Sequence, residues 1–88
     1  MIVISVEEER ARQADNIPRA HRCAAKHVRP YIGEEVKLVL KEPISEGVPR
    51  SHQCTIVGVD ARGVTFSPGI GEEVSAESFG NIKQVEVL

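Results

Sequence analysis

The hydrophobic period of this chain changes once, near residue 33. Before it, Ile17, Ala20, Ala24 and Val28 recur at three- and four-residue intervals, which places them on one face of a helix. Asn16 supplies a cap ahead of Pro18, a residue tolerated in a first helical turn, and Pro30 stops the helix. The predicted helix spans 17–29. After Gly33, Val36, Leu38 and Leu40 interleave with Lys37 and Lys41, the pattern of a half-buried strand with one solvent face. Residues 42–52 contain two prolines, a glycine and two serines and read as an extended loop. Residues 53–60 are rich in β-branched side chains and form a second strand, Ala61-Arg62-Gly63 a tight turn, and 64–67 a third strand. Pro68-Gly69-Ile70-Gly71 is another turn, and 73–78 and 82–88 complete five short strands. With only Phe66, Phe79 and Tyr31 as aromatics, this pattern predicts a small barrel rather than a wide sandwich.

Two readings of the N-terminus, residues 1–16, stand side by side. Ser5-Val6-Glu7-Glu8 fits a capping box and opens a helical turn or two through Ala14; alternatively, 2–6 forms a short strand or arm. The carboxylates Glu7, Glu8 and Glu9 read as a solvated face.

Eighty-eight residues suffice for one domain, marginally stable alone, so closure or self-association is favoured. The formal net charge of −2 does not advertise nucleic-acid binding, but its distribution is uneven. Residues 12–30 carry +4 (Arg12, Arg19, Arg22, Lys26 and Arg29 against Asp15), whereas 31–88 carry −4. Arg19, Arg22, Lys26 and Arg29 fall on the helix face opposite the apolar one, a solvated face or a surface for phosphates. Two cysteines make no disulfide framework, the opening Met-Ile-Val-Ile-Ser-Val run is too short and too quickly followed by acids for a signal peptide, and no apolar run reaches membrane-spanning length. The expectation is a cytoplasmic protein.

His27 lies four residues after Cys23 on the helix, and His52 two residues before Cys54 in an extended segment, so each pair shares a face. If those faces met, the four side chains would suit tetrahedral zinc; the usual outcome for such residues is buried thiols and partly exposed histidines. Neither half is a Cys-x-x-Cys knuckle. No glycine-rich phosphate loop and no nucleophile beside a base at a recognised spacing is present, so neither an enzyme nor a cofactor is expected.

Three segments together resemble the Sm-like family. Ile32-Gly33-Glu34-Glu35-Val36-Lys37-Leu38-Val39-Leu40-Lys41 looks like the opening of the first Sm motif, and Cys54-Thr55-Ile56-Val57-Gly58-Val59-Asp60 its second half. Phe79-Gly80-Asn81-Ile82-Lys83-Gln84-Val85-Glu86-Val87 is similar to the second motif, and the likeness covers about 17–88. It implies a mainly β fold: a helix followed by a five-stranded, strongly bent antiparallel Sm-like barrel over 34–88, with Gly58 permitting the bend. It further implies a homo-oligomeric ring in which the fourth strand of one copy pairs with the fifth of the next, a role for which Val74, Val85 and Val87 are suited.

The resemblance implies RNA binding at the turns, which here hold Asp60, Arg62, Gly80 and Asn81. The family's asparagine position holds Gly63 or Val64 and its arginine position Phe79, so its uridine pocket is not carried over; a core or interface role suits Phe79 better than stacking. A similar likeness extends to the SH3-like C-terminal domain of the bacterial ribosome maturation factor. The expected function is a ring that binds single-stranded RNA through those turns and the basic helix face; the alternative is a structural or protein-interaction ring without nucleic acid.

Overall fold

A computed structural model describes residues 2–43, 46–47, 49–68 and 73–88. Their order is β1 (Ile2–Ser5), α1 (Val6–Arg12), α2 (Ile17–Val28), a 3-10 turn (Arg29–Tyr31), β2 (Glu35–Leu40), β3 (Ser51–Val59), β4 (Gly63–Ser67), β5 (Ser75–Ser78) and β6 (Ile82–Val87). All strand pairs are antiparallel, and the sheet order is β1-β6-β2-β3-β4-β5. The turn expected over Pro68-Gly69-Ile70-Gly71 and parts of the 42–52 loop lie outside the described residues.

Mainly β holds; five strands closed into a barrel does not. Six strands occur among the described residues, and the sheet is open, with β1 and β5 at its edges. Both readings of the N-terminus are realised in succession. Ile2 and Ile4 stand opposite Val87 and Val85 on β6, after which the Ser5 hydroxyl caps α1 by accepting from the Glu8 N–H at 3.1 Å. One residue thus ends the strand and starts the helix. Asn16 caps α2 in the same way, accepting from the Arg19 N–H at 3.2 Å, and the helix gives way to the 3-10 turn at Arg29.

The core is assembled mainly from the two helices and strands β2, β3, β4 and β6. Val36, Leu38 and Leu40 of β2 meet Cys54 and Ile56 of β3, Val64 and Phe66 of β4, and Ile82 and Val85 of β6. Ala24, Ala25 and Val28 of α2, together with Val6 of α1, close over them. The small side chains of α2 let its backbone approach closely. Ile17 instead stays 39% exposed at the helix start.

The edge roles foreseen for the last strand fail on this arrangement. Val85 is fully buried and Val87 nearly so, and β6 is flanked on both sides by β1 and β2. Only Val74 is exposed. Phe79 is entirely buried, which settles it as a core residue. The register between β3 and β4 shifts between Ile56 and Gly58, an irregularity beside the mid-strand glycine.

Candidate nucleic-acid interface

Two turns meet at one end of the sheet. The β3–β4 turn is held by Asp60, whose Oδ1 accepts from the N–H groups of Arg62 (2.7 Å) and Gly63 (3.0 Å). These bonds, with a smaller attraction from the Arg62 charge, keep the Asp60 carboxyl below its ordinary range. The β5–β6 turn is held by the Gly80 N–H donating to Ser78 Oγ at 3.0 Å and the Asn81 N–H donating to the Ser78 carbonyl at 2.9 Å. The Phe79 N–H donates to the Arg62 carbonyl at 2.9 Å and ties one turn to the other.

Asp60, Arg62, Gly80 and Asn81 therefore do converge, but three of them are occupied structurally. Asp60 builds its own turn. Asn81 accepts from the Glu42 N–H (2.9 Å) and donates to the Glu42 carbonyl (3.1 Å), stapling the end of β2 to the start of β6. The Gly80 carbonyl accepts from Arg10 Nη1 of α1 at 2.7 Å. The Arg62 side chain is exposed, its charge drawn to the Asp60 carboxylate, and among the described residues it takes no part in holding either turn.

The basic stripe is where periodicity placed it: Arg19, Arg22, Lys26 and Arg29 are all exposed along α2 and the turn that follows. Arg22 and Arg62 line one groove of about 590 Å³ between α2 and the β3–β4 turn, together with Ile17, Pro18, Ala61 and Ser78. His21 lines the same groove. Its ring centroid lies 6.0 Å from that of Phe79 at a tilt of 44°, and its Nε2 is buried without a hydrogen-bond partner. Burial, and then the nearby Arg10 charge, hold its pKa below the ordinary 6.5. His21 carried no separate signal in the sequence, because only the fold brings it to Phe79 and the groove.

The zinc arrangement is not assembled. Among the described residues no group of three or more His, Cys, Asp and Glu side chains is placed to hold a metal ion. Cys54 belongs to the core, where burial pushes its thiol up to about 11. His27 instead lines a groove beside β1, with Tyr31 and Glu8, and His52 is half-buried with an unpartnered Nε2. Cys23 contributes to the environment of Glu9 on α1.

Glu9 corrects the solvated reading of the N-terminal acids. It is 7% exposed, pairs with Arg12 and accepts from Gln13 Nε2 at 2.6 Å. The bond to Arg12, chiefly, holds its carboxyl below the ordinary 4.5 against the opposing effect of burial. Among the described residues no helix is long and apolar enough to cross a membrane. No protein-family model matches the chain, and no curated protein matches it significantly.

Proposed function

We propose that this domain binds single-stranded RNA through a surface made by α2 and the β3–β4 turn, and that it does so within a homo-oligomer of Sm-like domains joined by strand edges other than β6. The observation that carries the reading is the groove that Arg22 and Arg62, 40 residues apart in sequence, line together. The stripe of Arg19, Lys26 and Arg29 continues it along the helix, so a phosphate backbone has a basic track on a chain whose net charge is negative. The uridine pocket of Sm-like proteins is no part of the proposal, since Asp60, Gly80 and Asn81 hold the two turns in place.

Fluorescence anisotropy with a labelled single-stranded RNA at graded salt tests this reading. Affinity is expected to fall steeply with salt, and Arg22→Ala with Arg62→Ala to weaken binding and flatten the slope by about 0.7 for each phosphate contact removed. Binding that ignores salt, or no binding, would reject it in favour of a protein-interaction module.

A further inference from the structure

We propose that the groove between α2 and the β3–β4 turn is a nucleobase pocket, in which one unstacked base lies over Ile17, Pro18 and Ala61 with its polar edge toward His21 while the flanking phosphates meet Arg22 and Arg62. The inference rests on the RNA-binding reading and adds to it a part of the nucleotide that the basic stripe alone would not distinguish.

The groove is built unlike a plain phosphate site. Beside the cations Arg22 and Arg62 it is lined by Ile17, Pro18 and Ala61, with His21 and Ser78 as its polar members. Ile17 remains 39% exposed although it begins the apolar face of α2. An apolar lining beside two guanidinium groups matches a ligand with a flat, weakly polar body and anionic ends. A volume of about 590 Å³ falls within the range of small-molecule sites, roughly 300–1,000 Å³.

His21 supplies the polar element. A buried nitrogen without a partner is unfavourable, and few persist in native structures without a partner that completes them. The donor and acceptor groups along the edge of a base would provide one after a small reorientation of the ring. Burial and Arg10 favour the neutral imidazole at pH 7. A neutral ring offers one donor and one acceptor, which suits a base edge; an imidazolium would have suited a phosphate. Phe79, wholly buried and tilted against the imidazole, fixes the scaffold from which it acts.

The full-length chain is titrated with oligo-U, oligo-A and oligo-C of equal length, and with an abasic ribose-phosphate oligomer of that length, all at one salt concentration. At least one base-containing oligomer is expected to bind about tenfold more tightly than the abasic one, about 1.4 kcal/mol. His21→Ala should remove that preference and leave the salt slope unchanged. Ala61→Leu, which fills the groove from an exposed turn, should do the same and serves if His21→Ala fails to fold. Equal affinity for abasic and base-containing oligomers would overturn the pocket while leaving the phosphate track standing, as would a base preference that survives both variants. Absence of binding to every oligomer would remove the pocket and the RNA reading together.

Discussion

Two glycines flank the β3–β4 turn, and they differ in what they allow. A Cβ on Gly58 would meet only Thr65 Cβ at 3.9 Å, an ordinary contact, so the bulge does not depend on the missing side chain. A Cβ on Gly63 would stand 2.0 Å from the Glu77 carbonyl oxygen of the neighbouring strand β5, where Gly63 is paired with Ser78. Gly58→Ala should therefore stay within about 1 kcal/mol of the parent in urea denaturation. Gly63→Ala should cost roughly 1–3 kcal/mol or more, because the obstruction is backbone rather than a flexible side chain. Equal midpoints for the two variants would contradict this assignment. Gly58 was the one visible in sequence, through the motif; the close approach at Gly63 is a contact between strands and leaves no local trace.

At the scale of elements, Glu9 explains how α1 is held. Its carboxylate is buried beside α2 yet kept ionised by Arg12, with Gln13 and the Cys23 thiol acting in the same direction. A carboxyl whose folded pKa lies below its unfolded value of 4.5 stabilises the fold fully above that pH, and the contribution disappears as pH falls through the lowered folded pKa. The stability difference between the parent and Glu9→Gln, followed by urea denaturation, should be constant from pH 7 to about 5.5 and should shrink below pH 4.5. A difference that does not vary with pH would show that Glu9 acts by packing alone. The helix α2, its two ends and strands β2–β6 were legible because α2, β2 and β4 bury one face at a regular period, and because Asn16, Pro30 and the turn residues mark boundaries locally. The partner of strand β1 and the burial of Glu9 were not. The pairing of Ile2–Ser5 with β6 joins opposite ends of the chain, and an acid within a run of three acids is told from its neighbours only by what packs on it.

For the whole molecule, the strand order changes how copies would join. The resemblance implied pairing through the last strand, but β1 of the same chain already occupies that edge. The free edges are β1, where Ile2 and Val3 are each about half exposed, and β5, preceded by the 54% exposed Val74. Lone edges bearing apolar side chains are disfavoured in a monomer, and joining the β1 edge of one copy to the β5 edge of the next satisfies both. Such a contact uses two different surfaces, so repetition closes a ring when the rotation allows. The same geometry explains why the candidate RNA site was only half legible. The basic stripe is a periodic feature of α2 alone, whereas Arg62, His21 and the apolar residues of the groove meet only once the β3–β4 turn is folded against the helix. Size-exclusion chromatography with light scattering should give a single oligomeric mass at micromolar concentration. Val3→Lys, which places an exposed charge on the β1 edge without entering the core, should reduce it to the mass of one chain while the circular dichroism spectrum is retained. Lys at Val74, on the approach to β5, should have the same effect, because a heterologous contact needs both edges. If Val3→Lys dissociates the assembly and Val74→Lys does not, the pairing is β1 with β1 in a two-fold dimer, and a parent protein that runs as a monomer has no ring to explain.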